Sequence, residues 1–181
     1  SAVNGSLFFE VGTSTNAGAS FGSAVRAASF RQAAVPVGLG VLAEKAVLTA
    51  DRGESAHAGN LYLAFHSAEA GSSMVRDIFV ARSRDRGASF EPAVVVNHDP
   101  LGNDQFLPSV TTSRATGQVG VLFQSSQLGP LGTTDAFVAL SIDGGSSFVP
   151  AVRMSSQSTY WPGIPSDVAF AGWTTSLIAD A

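Results

Sequence analysis

An eight-residue polar pattern ending in phenylalanine recurs along the chain, and its spacing limits the fold more than any other feature. It stands at Ser83-Arg84-Asp85-Arg86-Gly87-Ala88-Ser89-Phe90 and again at Ser141-Ile142-Asp143-Gly144-Gly145-Ser146-Ser147-Phe148. A third copy, Ser14-Thr15-Asn16-Ala17-Gly18-Ala19-Ser20-Phe21, has asparagine in place of aspartate. Each phenylalanine is followed by two residues and then Ala-Val, at Ala24-Val25, Ala93-Val94 and Ala151-Val152. Such self-similarity is the mark of a repeat architecture.

The spacing has a mechanical reading. A short polar side chain that accepts backbone N–H bonds folds a tight turn, and glycine supplies the positive φ the turn needs. The closing phenylalanine is then expected to drop into the core and pin a hairpin. Apolar strands precede the two stronger boxes, Ile78-Phe79-Val80-Ala81 and Ala136-Phe137-Val138-Ala139-Leu140, so each box reads as the connection of a β-hairpin.

Asp85 and Asp143 lie 58 positions apart, and the same offset carries Gly59 to Gly117, Phe65 to Phe123, Ser67 to Ser125 and Asp77 to Asp135. The first box is farther away, which puts extra length between residues 26 and 45. One repeat reads as four strands: Ala46 to Ala50, Asn60 to Phe65, Asp77 to Arg82 and Ala93 to Val96. The next gives Leu107 to Thr111, Val119 to Phe123, Asp135 to Leu140 and Ala151 to Met154. Four short antiparallel strands per repeat make the blade of a β-propeller.

The chain opens on a third strand near Leu7 to Val11 with a fourth after the first box. It closes on a first strand at Asp167 to Ala171 and a second at Thr175 to Ala179. The expected organisation is one all-β propeller segment with part of a blade over 1–30, blades over 43–97 and 106–154, and part of a blade over 166–181. That is three blades' worth of strands, where propellers close with about four to eight. The chain is then a fragment of a ring, half of a six-bladed ring completed by a second copy, or an open wedge. A homodimer would cover sheet edges that otherwise invite aggregation.

Composition narrows the partners. Net charge is −4 and Lys45 is the single lysine, so no basic stripe exists for nucleic acid. No apolar run reaches membrane-spanning length. The absence of cysteine excludes disulfides and thiolate chemistry and is compatible with a secreted or periplasmic protein. Ser1-Ala2-Val3-Asn4 has neither a charged region nor an apolar core, so a signal peptide has been removed or none existed.

The three boxes with their strands and Ala-Val steps resemble the Asp-box, or bacterial neuraminidase repeat, of the sialidase superfamily. The likeness covers nearly the whole chain, and two full boxes at one offset make it specific. It implies that the box is a structural hairpin between the third and fourth strands of a blade, on the face opposite the active site. Ser14, Asn16, Gly18, Phe21, Ser83, Asp85, Gly87, Phe90, Ser141, Asp143, Gly145 and Phe148 would then be fold residues. The other face would hold any ligand site, drawn from Arg31, Arg76, Asp77, His98, Asp99, Asp104, Asp135, Tyr160 and Trp161.

Sialidases of this superfamily clamp the substrate carboxylate with three arginines and use a Tyr–Glu nucleophile pair with an Asp acid/base. Planar carboxylate recognition suits arginine. Phe30-Arg31-Gln32 begins like the family's arginine motif, but it lacks the Ile-Pro that follows and stands after the first box. Arg52, Arg84, Arg86 and Arg114 fall at the box face, and the two tyrosines are Tyr62, in an apolar strand, and Tyr160. No catalytic set is assigned.

The loop from Asn97 to Gln105 is the densest polar cluster. Its oxygens could hold Ca²⁺, but the spacing is not that of an EF-hand loop and an Asx-turn and Gly-turn connection is the preferred reading; no other cofactor is expected. His57, His66 and His98 show no paired metal spacing. Tyr160-Trp161-Pro162 reads as a sugar-stacking platform or an aromatic plug between blades. Three functions follow: an extracellular binding or scaffold module, with glycans as candidate ligands; a sialidase-like glycoside hydrolase whose site is shared with other blades; or a purely structural assembly protein built through strand exchange at its ends.

Overall fold

The computed structural model describes residues 7–31, 46–68, 76–99, 103–129 and 133–160. Within them the chain is all β, in three antiparallel sheets. The strands are β1 (Leu7–Val11), β2 (Val25–Phe30), β3 (Val47–Ala50), β4 (Leu61–Ala68), β5 (Arg76–Ser83), β6 (Val94–Val95), β7 (Gln105–Thr112), β8 (Val119–Ser125), β9 (Thr133–Ser141), β10 (Val152–Arg153) and β11 (Thr159–Tyr160). No helix among the described residues is long and apolar enough to cross a membrane.

Sequential strands pair with one another. β1 and β2 form the first sheet, β3-β4-β5-β6 the second, and β7-β8-β9-β10 the third, with β11 also on β9. The register repeats with the sequence. Phe65 faces Phe79 across β4 and β5, and Phe123 faces Phe137 across β8 and β9.

The sheets stack face on face, which explains why β4 is buried from Tyr62 to Ala68. Successive side chains of a strand point to opposite faces. Tyr62 and Ala64 join Ile78, Val80, Val110, Val121 and Phe123 in the core between the second and third sheets. Leu63 and Phe65 turn the other way and join Val11, Ala27 and Phe30 between the first and second. Phe9 stacks on Phe30 at 4.2 Å between ring centres and tilts against Phe65 at 5.2 Å. Fully burying a side chain such as Phe65 or Ile78 stabilises by about 1.5–3 kcal/mol.

The structure differs from expectation at four places. β6 and β10 are two residues long, where Ala93 to Val96 and Ala151 to Met154 were expected as strands. The ladder stops because side chains take over its acceptors: Ile78 N–H donates to Asn97 Oδ1 at 2.8 Å and Ala136 N–H to Ser155 Oγ at 3.3 Å. Tyr160 lies in a strand, β11, instead of a loop. Phe21 does not enter a core; it is 68% exposed, whereas Phe148 is 6% exposed and Phe90 packs on the core between the first two sheets. Each of those two packs between its own sheet and the one before, and the first sheet has no predecessor among the described residues.

The extra length of the first repeat falls after Arg31, in residues outside those described. Arg31 meets the end of β4 through Ala68 N–H to Arg31 O at 3.0 Å and Arg31 N–H to Ser67 Oγ at 2.9 Å. Asp104 meets the end of β8 in the same way, through Ser126 N–H to Asp104 O at 3.1 Å and Asp104 N–H to Ser126 Oγ at 2.9 Å. The chain therefore reaches β4 at Arg31 and returns to it at Val47. The strands expected at 167–171 and 175–179, and Trp161, lie outside the described residues.

Candidate functional site

The boxes gather at one end of the sheets. In the second, Ser83 Oγ donates to Asp85 Oδ1 at 2.8 Å and accepts from Gly87 N–H at 2.7 Å, while Ser89 N–H donates to Asp85 Oδ1 at 2.8 Å. The third repeats this through Ser141, Asp143, Gly145 and Ser147. In the first, Asn16 Oδ1 accepts from Ser14 Oγ and from Ser20 N–H, each at 2.9 Å. Hydroxyl and amide donors from Ser89 and Ser83 hold the Asp85 carboxyl down at about 2, and Ser147 leads the same effect on Asp143. These carboxylates are acceptors locked into a turn, and asparagine does the same work without charge.

The candidate residues gather at the opposite end, where β5, β7 and β9 begin. Arg76 grips Asp104 with both arms of its guanidinium, Nε to Oδ1 at 2.8 Å and the terminal nitrogen to Oδ2 at 2.5 Å. It also lies 5.6 Å over the ring of Phe106. Asn97 donates to Asp77 Oδ1 at 2.8 Å and Asp99 Oδ1 at 2.7 Å. Gln105, fully buried, donates to Asp99 Oδ2 at 2.6 Å and to Ser125 Oγ at 3.3 Å. Asn103 reaches Asp99 Oδ2 at 3.3 Å. Asp99 therefore accepts from three side-chain amides, Asn97, Asn103 and Gln105.

Asp135 stands in the third sheet where Asp77 stands in the second. Its Oδ1 accepts from Arg153 Nε at 3.0 Å and Ser155 Oγ at 2.9 Å, and its Oδ2 accepts from Ser158 Oγ at 3.0 Å. Burial alone would raise its pKa; the bonds from Ser155, Arg153 and Ser158 and the Arg153 charge outweigh it and keep the carboxyl below the ordinary range. Asn97 and Ser155 are separated by the repeat offset of the two aspartates. Each aspartate and its partner clip the start of a third strand to the end of a fourth.

The structure thus brings Asp77, Asp99 and Gln105 into one network and pairs Arg76 with Asp104. Asp135 is held separately by its own sheet. The Arg31 side chain and His98 are exposed, and Tyr160 is 68% exposed. Among the described residues no group of three His, Asp or Glu side chains is placed to hold a metal ion. A cleft of about 610 Å³ between the first and second sheets is lined by Phe8, Arg26, Phe65, Phe79, Phe90 and Glu91, and takes in none of the loop candidates.

Sequence reasoning missed Arg82. It is 7% exposed, pairs with Glu91, and donates to Gly144 O at 2.6 Å and Ser146 Oγ at 2.7 Å, so it ties the second sheet to the box of the third. No local pattern announces this, since the partners lie 62 and 64 residues away. Arg153 was missed too, although a cation 18 residues beyond Asp135, at the far end of the same hairpin, was a readable signal.

No protein-family model matches the chain, and no curated protein does. Among solved structures, a protein of unknown function from Dyadobacter fermentans DSM 18053 is similar with a TM-score of 0.54 and 20% identity, over 82% of this chain and 38% of that one. The Hadza microbial sialidase Hz136 is similar with a TM-score of 0.45 and 23% identity, over 52% of this chain and 23% of that one. The first likeness is one of fold. This chain spans about two-fifths of the Dyadobacter protein's length.

Proposed function

We propose that the chain is a run of Asp-box propeller blades acting as a non-catalytic, extracellular binding or scaffold module, with glycans as the ligand class. One observation carries this reading: the loop-face acids Asp77, Asp99, Asp104 and Asp135 are each held by a neighbouring amide, hydroxyl or guanidinium. A hydrolytic site needs one carboxyl free to give or take a proton at the substrate. Arg76, the arginine best placed for a substrate carboxylate, is committed to Asp104.

Among the described candidate residues, Arg31, His98 and the ring of Tyr160 are the exposed ones on this face. An aromatic face with hydrogen-bonding neighbours suits the apolar side of a sugar. A glycan array with the 181-residue chain tests this: binding that falls about tenfold on Tyr160→Ala is expected, and an unchanged profile removes Tyr160 from the site. The rival hydrolase reading is tested with a fluorogenic sialoside. No release above blank is expected, and turnover that Arg76→Ala abolishes would overturn the non-catalytic assignment.

A further inference from the structure

The second sheet is open toward the first at a place where the third is closed toward the second. Phe79 and Phe137 are counterparts at the spacing of Asp85 and Asp143, yet Phe137 is 3% exposed while Phe79 is half-buried and lines the cleft. Phe90 and Phe148 differ in the same way, half-buried against 6% exposed. Ala27 and Val96 correspond at the spacing of Asn16 and Asp85. Val96 is fully buried in the cluster that holds Phe137, and Ala27, in the cluster against which Phe79 packs, has no branch to extend over that ring. Protein interiors leave few voids larger than a water molecule. A cleft of about 610 Å³ at one of two matching interfaces therefore comes from these residues and not from the architecture, and its size is that of a ligand site.

Its walls define the chemistry that fits. Ala27 and Ala28 pack toward the second sheet, whereas Arg26 and Ser29 are exposed. A space that touches all four meets β2 along its backbone edge. β1 holds the other edge, and no strand pairs on this one among the described residues. The facing wall, Phe90 to Ala93, offers no such edge: Glu91 N–H already donates to Arg82 O at 2.8 Å, and Pro92 has no N–H. An open strand edge presents N–H and C=O groups that recognise another main chain. The bulge at Ala27, where the β1 register shifts, keeps the edge short, which admits a short segment and resists the zipping of whole sheets.

Charge narrows the partner further. Both carboxylate oxygens of Glu91 are taken, Oε2 by Arg82 Nε at 2.9 Å and Oε1 by Arg84 Nε at 2.8 Å. Arg26 lies 3.4 Å over the Phe8 ring. Glu10 stands opposite it on β1, but Arg26 makes no ion pair among the described residues. Arg26, Arg82 and Arg84 against Glu10 and Glu91 leave the rim with excess positive charge, on a chain whose net charge is −4. We propose that this cleft binds an extended acidic peptide as an added strand on β2. The peptide main chain pairs with the edge from Arg26 to Ser29, and an apolar side chain drops onto the stacked rings of Phe65 and Phe79, 5.6 Å apart between centres. A carboxylate on the outward side meets Arg26, so the peptide that fits alternates apolar and acidic residues.

Fluorescence anisotropy on the full 181-residue chain tests this with a labelled short peptide of alternating valine and glutamate. Micromolar binding is expected, with the valine–lysine counterpart at least about tenfold weaker. Of two forms N-methylated at every valine or at every glutamate, one should lose binding, because alternate amides of a strand face one edge. Arg26→Glu should weaken the glutamate peptide about tenfold and strengthen the lysine peptide; the residue is exposed, so circular dichroism should stay native. Ala27→Val, which copies Val96, should weaken both peptides without lowering the melting temperature. No binding of the valine–glutamate peptide by the native chain overturns the proposal. So does binding that Arg26→Glu and Ala27→Val both leave unchanged, or that survives in both methylated forms. Glycan binding that falls with Arg26→Glu while no peptide binds also overturns it and assigns the cleft to sugar. Tyr160→Ala lies in the third sheet and should leave peptide binding unchanged, so this proposal and the glycan reading fail separately.

Discussion

Asp85 and Asp143 look catalytic in a list of residues and structural in three dimensions. Every partner of these carboxylates lies within four positions, which is why the turns were legible in the sequence. The pH dependence follows. Asp85 falls from an ordinary 3.8 to about 2 in the fold, and Asp143 and Asp135 are also lowered. A depressed folded pKa stabilises above the unfolded value and is lost as pH falls through the folded one. The melting temperature should therefore be flat above pH 5 from these groups and fall between about pH 4 and 2. The double variant Asp85→Asn/Asp143→Asn, which copies the Asn16 turn, should keep the fold and soften that fall in thermal melts; an identical acid slope would refute the linkage.

A second residue-scale consequence concerns φ. Ala17, Arg86 and Gly144 occupy the same box position at φ 55°, 60° and 66°, a conformation that costs a side-chain residue roughly 1 kcal/mol. Ala17→Gly should stabilise by about 0.5–1 kcal/mol in urea titrations. Gly145→Ala should have the opposite sign and a larger size, about 2 kcal/mol, because φ is 81° and the new Cβ would stand 2.9 Å from the Tyr62 ring. A neutral Gly145→Ala would show that the turn tolerates both strain and overlap.

At the level of strands, the order and pairing of β3 to β10 were readable because two copies align without a gap over 59–94. Their ends were not. The fourth strands stop where Asn97 and Ser155 replace a backbone acceptor, and pattern reading does not distinguish such a side chain from an ordinary loop residue. Arg82 was illegible for a different reason: strand pairing brings β5 beside β4, but only the stacking of whole sheets brings it to Gly144. Arg82→Ala removes bonds to Gly144 and Ser146 and frees Glu91, which is 41% exposed and can return to water or stay with Arg84. The expected cost is about 2–3 kcal/mol in chemical denaturation, with Glu91→Gln costing clearly less. Equal costs would mean the ion pair within the second sheet accounts for the loss and the contact with Gly144 adds nothing between sheets.

For the molecule as a whole, stability in a stack of sheets is close to one-dimensional: each sheet gains from its neighbours and little from farther away. The second sheet has a neighbour on both faces, while among the described residues the first has one, through Phe9, Val11 and Phe30 against Phe65. Hydrogen exchange should therefore protect β4 and β5 most strongly and β1 and β2 least, since local opening tracks the apolar contacts that must break. Protection of β1 and β2 equal to that of β4 and β5 would overturn this one-dimensional account.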